Sequence, residues 1–193
     1  MKILIFSEGR VGSHSIGNWL SKELSIPFIP ENVDFNYKKN ESFIHKIYYD
    51  KQNEFLDFNF FDKILIVYRN DTLSQAISNV YAIKNKKYRH TGNKLNGYYN
   101  ITKEFCIENY SHISELIKKL DISNEELKKI NKGLLITYTE IFIDKTGQKK
   151  IEDYVGFKAK TELSDPKHKL RETNIEIEEY LKKLIKNNKK GMI

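Results

Sequence analysis

Residues 3–20 read ILIFSEGRVGSHSIGNWL, and the way this stretch alternates between apolar and polar decides the fold class. Ile3 to Phe6 form an apolar run that breaks into a polar turn holding Gly9 and Gly12. Apolar positions then resume at Ile16, Trp19, Leu20 and Leu24 with helical spacing. Strand, tight glycine turn and helix bring free backbone N–H groups and the positive end of a helix dipole to one point, which suits a phosphate or sulfate. Arg10, Val11, Gly12, Ser13, His14 and Ser15 are the candidate residues for holding such an anion. Ser13 and His14 stand where the nucleoside triphosphatase loop carries its lysine, so the pattern points away from ATP and GTP. The same residues also suit a plain first βα turn, with glycines serving packing and His14 exposed.

Residues 63–83, KILIVYRNDTLSQAISNVYAI, repeat the strand-turn-helix pattern. Ile64 to Val67 read as a buried strand and Asp71 as a helix cap. Leu73, Ala76, Ile77, Val80 and Ile83 read as one apolar helix face. Arg69 falls at the carboxyl end of the strand, where open α/β sheets bind ligands. Ser74 and Ser78 lie one helical turn apart, so a guanidinium and hydroxyls there suit a second phosphate. A salt bridge for Arg69 and plain helix-surface serines are the structural alternative.

Four strands (2–6, 42–48, 63–68, 133–138) alternate with helices (13–25, 72–88, 102–120, 124–131, 147–155, 174–187). This predicts an α/β fold of the P-loop type: a central parallel β-sheet flanked by helices on both faces, in one domain spanning residues 1–188, with 189–193 as a basic tail. Ser123 with Glu126 reads as a capping box, and Gly156 as a helix-ending glycine.

The 193 residues are enough for a substantial core, and 39% hydrophobic and 12% aromatic content fits a globular chain. Thirty-three basic against 26 acidic residues leave a charge of +7. That suits an acidic ligand or surface, although lysines spread over solvated helix faces account for the bulk of it. No nucleic-acid reading motif is present, and no nucleic-acid partner is expected. Cys106 is the only cysteine and lies in a helical pattern with Phe105, Ile113, Leu116 and Leu120, so it reads as a core residue. No metal site is expected. No apolar run approaches the ~20 residues of a membrane span, and the amino-terminal apolar run is too short for a signal peptide. A cytoplasmic protein is expected, with peripheral membrane contact open and the oligomeric state undetermined.

The stretch SEGRVGSHSIGNWL resembles the 5′-phosphosulfate loop of sulfotransferases that use 3′-phosphoadenosine 5′-phosphosulfate (PAPS), with Arg10, Gly12 and Ser13 on the matching positions. YRNDTLSQAISNVYA resembles that family's 3′-phosphate element, with Arg69 and Ser78 matching, in a form closest to the bacterial trehalose sulfotransferase type. Three weaker likenesses follow in order. SFIHKIYYD resembles the second strand, with Lys46 near the transferred group. LLITYTEIFID resembles the fourth strand and its turn, with Tyr138 by the adenine. KHKLRETN resembles the segment that closes over the nucleotide, with Arg171 as its contact.

The resemblance implies PAPS as donor, no metal, and a small-molecule or glycan hydroxyl as acceptor. Arg10 and Lys46 would neutralise charge on the sulfuryl group, and a carboxylate would take the acceptor proton. Glu31 and Asp34 both qualify as that base, with His14 or His45 as fallbacks, and Tyr48 stands where cytosolic members carry a histidine. His14 and Asn70 depart from the usual pattern. The segment 85–100, with Tyr88, Tyr98 and Tyr99 among basic residues, reads as an acceptor-binding lid or as a plain connector.

Three other functions demand residues that differ from these. A P-loop kinase needs a loop lysine and an aspartate at a strand end, where this chain has Tyr68-Arg69. A serine hydrolase needs Gly-x-Ser-x-Gly, which Ser13 to Gly17 does not meet. A non-catalytic nucleotide-binding module would keep Arg10, Arg69 and Ser78 without a working Lys46 and carboxylate.

Overall fold

β1 (Lys2–Ser7) runs down the middle of a parallel five-stranded sheet of order β2-β3-β1-β4-β5, where β2 is Phe28–Pro30, β3 Phe43–Tyr48, β4 Lys63–Tyr68 and β5 Leu134–Thr137. The structure, a computed structural model, describes residues 1–30, 41–49, 56–84, 101–164 and 179–183. It divides into two compact units: Met1–Asn70 with Ile122–Pro166, and Asp71–Asp121 with Lys167–Ile193.

In the first unit, alternation along the strands sends side chains to opposite faces of the sheet, and each face has its own core. Ile3, Ile5, Ile44, Leu65, Val67 and Ile136 pack with α1 (Ser13–Leu24), α5 (Tyr138–Phe142) and α6 (Gly147–Val155). Leu4, Phe6, Phe43, Ile64 and Ile66 pack instead with Leu127, Ile130 and the aromatic turn at Phe58 to Phe61. The predicted parallel sheet with helices on both faces is therefore present. Burying both faces is also why the strands read as continuous apolar runs. Glycine at 17 lets α1 approach β2, because an added Cβ would lie 2.2 Å from the Phe28 ring. Gly156 ends α6 with φ 90°, as expected.

In the second unit α2 (Thr72–Lys84), α3 (Lys103–Glu108), the first part of α4 (Tyr110–Lys129) and the helical residues 179–183 enclose Leu73, Ile77, Val80, Tyr81, Cys106, Ile113, Leu120 and Leu181. Asp71 caps α2, accepting from the Ser74 N–H at 3.1 Å. Cys106 is a core residue, and burial pushes its thiol up to about 11. Ile83, expected on the apolar face of α2, is half exposed; Tyr81 is buried on that helix instead.

Several elements differ from the sequence expectation. The sheet has five strands, not four: β2 is three residues long and ends in Pro30, too short for periodicity to register, and proline is tolerated because the strand lies at an edge. The expected helix 102–120 breaks at Asn109, whose amide donates to the Phe105 carbonyl at 2.8 Å, and restarts as α4. α4 then runs through residues 121–123, so the Ser123–Glu126 capping box does not form. Glu126 instead accepts from the Tyr49 hydroxyl, and this bond, with burial, raises the phenol to about 12. α2 is described to Lys84 rather than to 88, and of the helix expected at 174–187 only 179–183 are described.

Candidate functional site

α1 leads back from β1 towards β2 and β3, whereas the chain leaving β4 is followed by β5 on the other side of the sheet. The topological switch point therefore lies between β1 and β4, and the carboxyl ends of those strands are where α/β sheets bind ligands. The loop from Glu8 to Gly12 occupies this position.

Two residues of the loop have left-handed backbone, Arg10 at φ 67° and Gly12 at φ 77°. Glycine is required at 12 on two counts, since an added Cβ would also lie 2.3 Å from the Phe142 ring. For Arg10 the conformation is uncommon and costs on the order of 1 kcal/mol, the kind of strain found where backbone is shaped for a ligand. Gly12 starts α1, its carbonyl accepting from Ser15 N at 3.0 Å and Ile16 N at 3.2 Å. The cap position is Gly12, which has no side chain to bond the first N–H groups, and the first turn holds no acidic residue. The positive end of the α1 dipole therefore suits an anion.

Ser13 is buried and Arg10, His14 and Ser15 are half-buried. The His14 ring meets Phe28 edge-on at 5.1 Å, so it is a packed residue rather than a fully exposed one. Strand alternation places Lys46 on the α1 face of the sheet beside Ile44. It is only 3% exposed, and its ammonium lies 4.0 Å from the centre of the Tyr48 ring. Tyr48 in turn approaches the loop, since a Cβ at Gly9 would lie 3.9 Å from its ring. Tyr48 therefore holds the neighbouring cation, a role that the sequence does not mark.

Arg69 follows β4 on the same face as Leu65 and Val67. Its guanidinium lies 4.6 Å from the centre of the Tyr138 ring, and its carbonyl accepts from the buried Asn124 amide at 2.8 Å. Tyr138 opens α5 and its ring lies 4.9 Å from that of Phe142. A side-chain chain thus runs from Arg69 through Tyr138 and Phe142 to Gly12, within one unit. α5 was not expected, yet its signal is legible: Thr137 and Glu140 form a capping box, with Glu140 N donating to Thr137 Oγ1 at 3.1 Å and Thr137 N donating to Glu140 Oε2 at 2.7 Å.

His45, a fallback base, is removed from this group. It pairs in register with Leu4 and Ile29, is 4% exposed, and by alternation faces away from Lys46. Burial drives its pKa down to about 4, so it is a neutral interior residue. Ser74 and Ser78 are both buried on α2, in the second unit. Glu31, Asp34, Arg171 and the segment 85–100 lie outside the described residues. The last described residue before Glu31, Pro30, is the register partner of Lys46. Among the described residues there is no cluster of three or more metal-ligating side chains and no helix long and apolar enough to cross a membrane.

No protein-family model matches this chain, and no curated protein matches it. Among solved structures, the mouse sulfotransferase SULT7A1 complexed with PAP is similar over 84% of this chain and 60% of its own, at 15% sequence identity and a TM-score of 0.48. The chain thus spans somewhat less than two thirds of that structure's length.

Proposed function

We propose that this chain transfers a sulfuryl group from PAPS to a hydroxyl acceptor, a carbohydrate or glycolipid, and releases adenosine 3′,5′-bisphosphate. One observation carries the reading. A loop turned by left-handed Arg10 and Gly12 runs into a helix end whose cap residue is a glycine and whose first turn holds no acid, carries no lysine, and shares its sheet face with Lys46 and Arg69.

The chain's residues fit an anion of this kind by charge and by shape. Arg10, Val11, Gly12, Ser13, His14 and Ser15 hold the 5′-phosphosulfate through backbone N–H groups, hydroxyls and a guanidinium. Arg69 takes the 3′-phosphate, Tyr138 lies by the adenine, and the sequence assigns Ser74, Ser78 and Arg171 to the nucleotide as well. In the reaction the acceptor oxygen bonds to sulfur while the bond from sulfur to the bridging oxygen of the phosphosulfate breaks. Lys46 and Arg10 stabilise the negative charge gathering on that oxygen and on the sulfuryl group. The acceptor proton passes to a carboxylate, Glu31 or Asp34. Glu31 is preferred because it directly follows Pro30, whose register partner is Lys46. The protein works in the cytoplasm, where the donor is made, and meets a lipid-linked acceptor by peripheral contact.

Incubation with PAPS and a panel of hydroxyl acceptors, read by mass spectrometry, tests this. A product heavier by one sulfuryl group is the expected result. Tight binding of adenosine 3′,5′-bisphosphate with no product from any acceptor would instead favour a nucleotide-binding module, and phosphoryl transfer from ATP a kinase.

A further inference from the structure

Ser7 closes β1 directly before the anion loop, and its hydroxyl has not been counted among the residues that hold the ligand. It is fully buried, and among the described residues its Oγ has no hydrogen-bond partner. Alternation puts Ser7 on the same face as Ile3 and Ile5, which pack with Val11 and Ile16 of the loop and α1. Its register partners are Tyr48 on β3 and Val67 on β4, so on that face it lies between the strand positions of Lys46 and Arg69. Buried hydroxyls in proteins nearly always have partners, because leaving one unpaired forfeits its hydration without return. Here the unpaired hydroxyl sits at the root of a loop turned by left-handed Arg10 and Gly12, which runs into a helix start with a glycine cap and no acid in its first turn.

We infer that Ser7 is a direct binding residue for the anion, its hydroxyl donating to an oxygen of the phosphosulfate group. The inference rests on the proposed sulfotransferase activity only for the identity of the anion. It makes an unusual demand on the free protein. A hydroxyl whose partner is the ligand contributes nothing to folding in the absence of ligand, so removing it leaves the empty protein as stable as before or more so. A hydroxyl with a structural role behaves in the opposite way.

The test compares wild type, Ser7→Ala and Ser7→Cys by thermal unfolding without ligand, and by calorimetry with adenosine 3′,5′-bisphosphate and, separately, with inorganic pyrophosphate. Both variants should unfold no earlier than wild type, and Ser7→Ala should bind both anions about tenfold more weakly, the loss of one hydrogen bond to a charged group. Equal affinities in variant and wild type, a lower unfolding temperature in step with weaker binding, or a wild type that binds neither anion would overturn the inference. Binding of pyrophosphate alone, weakened in Ser7→Ala, would uphold Ser7 while removing PAPS as the donor.

Discussion

The Arg69 guanidinium lies over the Tyr138 ring, 4.6 Å from its centre, and so the cation proposed for the 3′-phosphate rests on the first residue of the helix that follows β5. An arginine on an aromatic face is worth about 0.5–2 kcal/mol, and its planar fork is oriented before any ligand arrives. Tyr138→Leu should therefore reduce the preference for adenosine 3′,5′-bisphosphate over AMP by up to about tenfold, whereas Tyr138→Phe keeps it. Arg69→Lys should lose most of the preference, since a lysine can neither stack in the same way nor bond bidentately. Calorimetric affinities for the two nucleotides measure this, and an unchanged ratio in Tyr138→Leu would count against the ring as a platform.

The loop geometry separates stability from binding at two neighbouring positions. Arg10 sits at φ 67°, a conformation that glycine adopts freely, so Arg10→Gly should match or exceed wild type in stability while binding the anion ten- to a hundredfold more weakly. Gly12→Ala meets both a φ of 77° and a 2.3 Å approach to Phe142, and should lose more than about 1 kcal/mol. Combining it with Phe142→Ala should cost less than the two single losses added together, because the clash is gone. Urea unfolding of the four proteins gives the coupling, and strict additivity would show that the clash is relieved in some other way.

Lys46 is almost fully buried, with its ammonium on the Tyr48 ring, and a buried cation is retained at a desolvation cost. Lys46→Met keeps the stem and discards the charge, so it separates the role of the ammonium from the packing of its stem. If the ammonium stabilises the departing oxygen, turnover should fall while affinity for adenosine 3′,5′-bisphosphate stays within a few-fold of wild type. Lost nucleotide affinity with intact turnover of bound donor would assign Lys46 to binding instead.

His45 makes stability depend on pH in a known direction. Burial holds its folded pKa at about 4, against 6.5 for an ordinary imidazole, so between these values the unfolded chain takes up a proton that the folded protein refuses. Its contribution is fully present above pH 6.5 and is lost as pH falls towards 4, by on the order of 3 kcal/mol. Unfolding free energies across this range should fall with acidification in wild type and fall less steeply in His45→Leu. Parallel profiles would show that other groups carry the acid sensitivity.

Much of the architecture is legible in the order of residues because its causes are local. Two strand-turn-helix segments, each with its own apolar periodicity, require a parallel sheet, and a sheet buried on both faces requires unbroken runs such as Ile64 to Val67. The glycines at 12 and 156 and the cap at Asp71 are local too, each read from the residue type its backbone or helix end demands. Arg10 and Arg69 read as charged residues at strand ends, whereas Lys46, inside β3, is marked only by the family resemblance.

What the sequence could not decide depends on partners far along the chain. Ser123 and Glu126 form a sound capping box by local rules, yet α4 runs through them, with Glu126 bonded to the distant Tyr49. β2 exists because β3 offers it a ladder, not because three residues prefer to be extended. His45 and Lys46 are adjacent and both polar, and only the pleat of a sheet buried on both sides sends one into an interior face and the other toward the loop. Ser7 reads as an ordinary end to an apolar strand. Its burial without a partner follows only from closing α1 and the loop over the sheet, because whether a polar group is satisfied depends on every group folded around it.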